Sequence, residues 1–68
     1  SILSVDCAQN IVVIKTMSGL ASGAAAALDG MGISSMVGSL AGDDTALLIM
    51  RDSEDARTLC GEIKEMLN

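Results

Sequence analysis

A chain of 68 residues carries nine acidic against four basic side chains and no histidine, for a formal charge of −5. Such a balance leaves no basic face for phosphate contacts, so this segment is not expected to bind DNA, RNA or an anionic membrane surface. Half of the residues are apolar but none is Phe, Trp or Tyr, and a chain this small buries only ~60% of the surface its unfolded form exposes, so association with copies of itself is the expected supplement to an aliphatic core.

In chain order, Ile2 to Cys7 alternates, with Leu3, Val5 and Cys7 on one face and Ser4 and Asp6 on the other, which predicts a half-buried strand. After a short turn at Ala8-Gln9-Asn10, the run Ile11-Val12-Val13-Ile14 ends at Lys15-Thr16. Its unbroken apolarity predicts cover on both faces, and the two strands should pair as a hairpin. Ser18 is placed to cap a helix that runs to about Gly30, with Gly30 and Gly32 supplying the stop. Leu20, Ala24, Ala27, Leu28 and Met31 form its apolar stripe. Ser22 and Asp29 fall off that stripe, two turns apart on one side. Asp29 also stands in the last turn, where the helix dipole disfavours a carboxylate.

A third strand is predicted over Ile33 to Ala41 and a fourth, apolar on both faces, over Thr45 to Met50. Between them Gly42-Asp43-Asp44 forms a tight turn, for which Gly42 can supply a positive φ. Asp52-Ser53-Glu54-Asp55 is an acidic helix start matched to the positive end of the dipole. Ala56, Leu59, Cys60, Ile63, Met66 and Leu67 then recur at helical spacing, with Arg57, Glu62, Lys64 and Glu65 outside the stripe. The order β-β-α-β-β-α predicts an α+β two-layer sandwich: a mostly antiparallel four-stranded sheet with two helices on one face. The other face should meet another subunit. The opening at Ser1, directly on a strand, leads us to expect a single domain of a longer protein.

Several chemistries are disfavoured. No apolar run reaches the ~18 residues of a membrane span. Without histidine or a Cys-x-x-Cys pair, a zinc site is not expected, and Cys7 and Cys60 read as reduced core residues of a cytoplasmic protein, with a Cys7–Cys60 disulfide as the alternative. No serine stands beside a plausible base, and the Gly-rich stretch Ser18–Gly23 lacks the lysine and spacing of a phosphate loop, so an enzyme is not expected. Asp29, Asp43 and Asp44 offer oxygen ligands, but nothing resembles a calcium loop. Adjacent carboxylates with apolar flanks suit a guanidinium or ammonium ligand better, through bidentate charged hydrogen bonds. The plain alternative is turn chemistry on a solvated surface.

Three segments carry a family resemblance: Val12-Val13-Ile14-Lys15-Thr16, Ala26-Ala27-Leu28-Asp29, and above all Gly38-Ser39-Leu40-Ala41-Gly42-Asp43-Asp44-Thr45. In this order, and followed by an acidic-start helix, they resemble the C-terminal domain of the bacterial arginine repressor family over nearly the whole chain. The resemblance implies a domain that binds L-arginine as effector, with no cofactor, and assembles trimers that pair into hexamers. Operator DNA would be bound only by a separate winged helix-turn-helix domain, absent from this chain. Carried over by position, it implies that Asp43 and Asp44 are ligand carboxylates near the interface between trimers and that Asp29 lines the same pocket. The backbone of Ala41 and Gly42, with Thr45, would complete the contacts. Ser22 stands where many relatives have a longer amide side chain, and Ser18 where many have proline. Two other readings remain beside this one: a structural oligomerisation module without a ligand, and an amino-acid-binding regulatory domain of a biosynthetic enzyme.

Overall fold

A computed structural model describes residues 2–67, which form β1 (Ile2–Ala8), β2 (Ile11–Thr16), α1 (Ala21–Gly30), β3 (Met36–Ala41), β4 (Thr45–Met50) and α2 (Ser53–Leu67). The strands make one sheet in the order β1-β2-β4-β3, with every neighbouring pair antiparallel. α2 packs mainly over β1 and β2, and α1 over β3 and β4. This is the expected α+β architecture with two helices on one face of the sheet.

The core lies between these layers. Val5, Val12, Ile14, Ala46, Leu48 and Met50 point from the sheet towards Ala21, Ala25 and Leu28 of α1 and Ala56, Leu59, Cys60 and Ile63 of α2. Small side chains at Ala21, Ala25, Ala46 and Ala56 let the backbones approach closely, which compensates for the lack of aromatic volume. Asp52 starts α2, its Oδ1 accepting the Asp55 backbone N–H at 2.8 Å, a bond that satisfies one otherwise orphaned donor.

Several expectations need correction. Leu3 does not share a face with Val5 and Cys7: it is 64% exposed. A register shift between Ile2 and Ser4 inserts one extra residue, and a bulge of this kind reverses the inward–outward alternation. A second shift lies between Met36 and Gly38, where Val37 is exposed. β3 begins at Met36 rather than Ile33, after a turn held by the Met36 N–H bond to the Ile33 carbonyl at 3.1 Å.

α1 begins at Ala21, after Leu20, which makes no side-chain capping bond, so Ser18 is not the cap. The later start places Ala21, Ala25 and Leu28 inward. The anticipated stripe through Leu20, Ala27 and Met31 is instead exposed, Met31 by 65%. Gly32, at φ +67°, provides the left-handed residue that ends this helix. At the end of α2, Met66 and Leu67 are likewise exposed rather than core.

Within one protomer β2 and β4 are covered on one face only, as expected if the other face meets another subunit. Val12 and Ile14, with Ala46, Leu48 and Met50, are buried, while Ile11, Val13, Leu47 and Ile49 remain half-buried. These outward residues lie opposite one another in register, Ile11 with Ile49 and Val13 with Leu47, and Leu40 extends the row from β3 opposite Leu47. Leu40 is 71% exposed. The sheet therefore presents an apolar outer face that no helix covers among the described residues.

Cys7 and Cys60 are free thiols on facing elements, Cys60 buried and Cys7 partly so. Burial pushes the Cys60 thiol above its ordinary value of 9.0; the Lys64 charge opposes this, while the neighbouring Cys7 thiol and Asp6 reinforce it. A raised folded-state value means that this contribution to stability is complete below the unfolded value of 9.0 and is lost as pH rises through the folded value. Urea unfolding should accordingly show a stability loss above about pH 9 that is absent in Cys60→Ala. Equal slopes with pH in the two proteins would contradict this assignment.

Candidate functional site

Ala41, Gly42, Asp43, Asp44 and Thr45 lie together at the β3–β4 hairpin. The Ala41–Ala46 pair closes the ladder, and the Gly42 N–H donates to the Thr45 carbonyl at 2.8 Å. Gly42 does not adopt a positive φ; that conformation belongs to Gly19 and Gly32 among the described glycines. A β-carbon at Gly42 would meet the Thr45 carbonyl oxygen at 3.7 Å, an ordinary contact, so the turn does not depend on left-handed backbone there.

The turn is not a free loop tip. The Thr16 N–H donates to the Asp44 carbonyl at 2.8 Å, and the Gly19 and Ala21 N–H groups donate to the Asp43 carbonyl at 3.1 and 3.2 Å. Thus three backbone bonds fasten the β2–α1 connection to the acidic turn. Gly19, at φ +82°, supplies the left-handed conformation in this connection. The start of α1, with exposed Ser22 on its first turn, consequently sits beside the aspartates.

Each of three exposed carboxylates is held through one oxygen by a neutral hydroxyl. Ser18 Oγ donates to Asp43 Oδ2 at 2.7 Å. Thr45 Oγ1 donates to Asp44 Oδ1 at 2.9 Å, and itself accepts from Lys15 Nζ at 2.8 Å. Ser39 Oγ donates to Asp29 Oδ2 at 2.9 Å. In each case the second carboxylate oxygen accepts no side-chain hydrogen bond among the described residues. Negative charge is thereby held in fixed directions and left available to an external donor.

Asp29 shares no hydrogen-bond partner with Asp43 or Asp44 among the described residues. It lies seven residues beyond Ser22 on α1, about 10 Å along the helix axis, and contacts β3 through Ser39. The Ser39 bond gives this unfavourably placed last-turn carboxylate a local partner. No group of three or more Asp, Glu, Cys or His side chains among the described residues is arranged to hold a metal. Three surface cavities of about 380, 330 and 340 Å³ lie elsewhere, among β1 and the ends of α1 and α2, and none is lined by the aspartates.

Nothing in the sequence places Ser18 or Ser39 beside the aspartates that they contact. Local spacing favoured a capping role for Ser18, whereas its hydroxyl partner is 25 positions away. Only the packing of the β2–α1 connection against the distant turn creates that contact.

The chain matches the family model described as "Arginine repressor, C-terminal domain" over residues 1–65. It is 40% identical over 68 residues to an arginine repressor of Clostridium acetobutylicum, covering 100% of this chain and 45% of that protein. It is 45% identical over 67 residues to one from a Thermoanaerobacter species, covering 98% and 45% respectively. Another, from Lachnoclostridium phytofermentans, is 41% identical over 66 residues, covering 97% and 43%. The chain therefore spans somewhat under half the length of these curated relatives. They are named as repressors, which are transcription regulators rather than enzymes. No helix among the described residues is long and apolar enough to cross a membrane. With the family match running through both strand pairs, both helices and the acidic turn between β3 and β4, this chain belongs to the arginine repressor family and corresponds to its C-terminal domain.

Proposed function

We propose that residues 1–68 form the L-arginine-sensing oligomerisation domain of a cytoplasmic transcriptional repressor of arginine metabolism. Arginine is the effector, no cofactor takes part, and DNA is contacted by a separate domain. The observation that carries this reading is the set of exposed carboxylates oriented by hydroxyls, each with an oxygen open to a cationic donor. A guanidinium can engage such oxygens through parallel charged hydrogen bonds, and its charge relieves the repulsion between Asp43 and Asp44. Asp43, Asp44, Asp29, Ser22, Thr45 and the backbone of Ala41 and Gly42 are the proposed ligand contacts.

The aspartates stand on open surface in one protomer, so an enclosed site needs a second subunit. An exposed apolar sheet face and an exposed Leu20–Met31 face on α1 provide surfaces for association into trimers and paired trimers. A ligand that binds only the assembled form stabilises that form by mass action.

Sedimentation at micromolar concentration with L-arginine, with L-citrulline and with neither tests this reading. Citrulline keeps the shape but lacks the guanidinium charge. A shift to the larger assembly with arginine alone is the expected result. An oligomer unmoved by arginine, together with no heat of binding, would leave a ligand-free structural module as the better account.

A further inference from the structure

We propose that Ser18 is a positioning residue for the effector site, its hydroxyl holding the Asp43 carboxylate in the direction that receives the ligand. This rests on the arginine-binding reading above and extends it to a residue outside the contact set. The hydroxyl has no competing local duty. Leu20, not Ser18, occupies the capping position, and no side chain caps α1. Thr16, the other hydroxyl bracketing this connection, donates to its neighbour, the Met17 carbonyl, at 2.8 Å. Ser18 is exposed, yet its Oγ reaches Asp43 Oδ2 at 2.7 Å, a short bond of the charge-assisted kind.

An exposed aspartate otherwise samples several staggered rotamers, and a ligand that needs one of them must immobilise it. Fixing Oδ2 in advance removes that cost and leaves Oδ1 directed away from Ser18. The same device recurs at Asp44, through Thr45, and at Asp29, through Ser39. At Ser18 the effect is separable from folding, because the connection is already fastened to the turn by the backbone bonds from Thr16, Gly19 and Ala21. Removing the hydroxyl should free the carboxylate without releasing the loop.

Calorimetric titration of the 68-residue chain with L-arginine, comparing the parent sequence with Ser18→Ala and Ser18→Thr, tests the assignment. Ser18→Ala should weaken binding about 3- to 10-fold, as expected for one side chain immobilised on binding, with an unchanged melting temperature. Ser18→Thr, which retains the hydroxyl, should restore parental affinity. Parental affinity in Ser18→Ala overturns the positioning role while leaving arginine binding intact, and equal losses in the two variants overturn it as well. Failure of the parent chain to bind arginine defeats the underlying reading, and the positioning role with it.

Discussion

Asp44→Asn is expected to weaken L-arginine binding by at least about 30-fold while leaving the domain folded. Removing one partner of a hydrogen-bonded charge pair within an interface costs about 2–5 kcal/mol, because the remaining charge is left unpaired, and 2 kcal/mol corresponds to roughly 30-fold. Folding should be spared for three reasons. The Asp44 side chain is exposed, and asparagine retains a carbonyl oxygen for the bond from Thr45 Oγ1 at 2.9 Å. The backbone bond from the Thr16 N–H to the Asp44 carbonyl also does not involve the side chain. Calorimetric titration and a thermal melt on the same sample check both halves. Unchanged affinity would remove Asp44 from the site.

If the domain assembles through the outer sheet face, Leu40→Glu is expected to lower its assembly state at micromolar concentration. In one protomer Leu40 is 71% exposed, so its replacement should change the monomer's own stability by about 0.5 kcal/mol or less. In an assembly sealed through the outer sheet face, the same carboxylate would be buried beside Leu47 and Val13 without a partner, a cost of several kcal/mol per subunit. The asymmetry between these magnitudes makes the substitution diagnostic. Sedimentation reads the assembly and far-ultraviolet circular dichroism the fold. A variant that sediments like the parent would show that the outer sheet face is not the association surface.

These two substitutions separate the ligand from the scaffold. Asp44 lies on a turn that the helix start and β2 hold in place, whereas Leu40 lies on the adjoining strand with its side chain directed away from the helices. If arginine is shared between subunits, Leu40→Glu lowers its affinity indirectly, through the assembly equilibrium. Raising the protein concentration would then recover binding for Leu40→Glu but not for Asp44→Asn.

The element order, the α+β class and the acidic turn were legible in the sequence because they depend on local signals. β-branched runs mark β2 and β4, Asp52 to Asp55 marks the start of α2, and Gly42-Asp43-Asp44 interrupts two apolar segments. The resemblance of Gly38–Thr45 to a known family implies Asp43, Asp44 and Thr45 as ligand contacts from the sequence alone. Local periodicity was less informative about facing. The bulge at Leu3 reverses the face of the first strand, and the start of α1 at Ala21 turns Leu20, Ala27 and Met31 away from the core.

By itself the sequence determined which segments become strands and helices, that the chain carries excess negative charge, and that its core is aliphatic. Those properties follow from composition and from near-neighbour spacing along the chain. Tertiary structure alone decided that β2 pairs with β4, and that Ser18 meets Asp43 and Ser39 meets Asp29. Contacts between residues 25 and 10 positions apart leave no periodic trace, because a hydroxyl's partner is set by how the elements pack and not by the residues beside it in sequence.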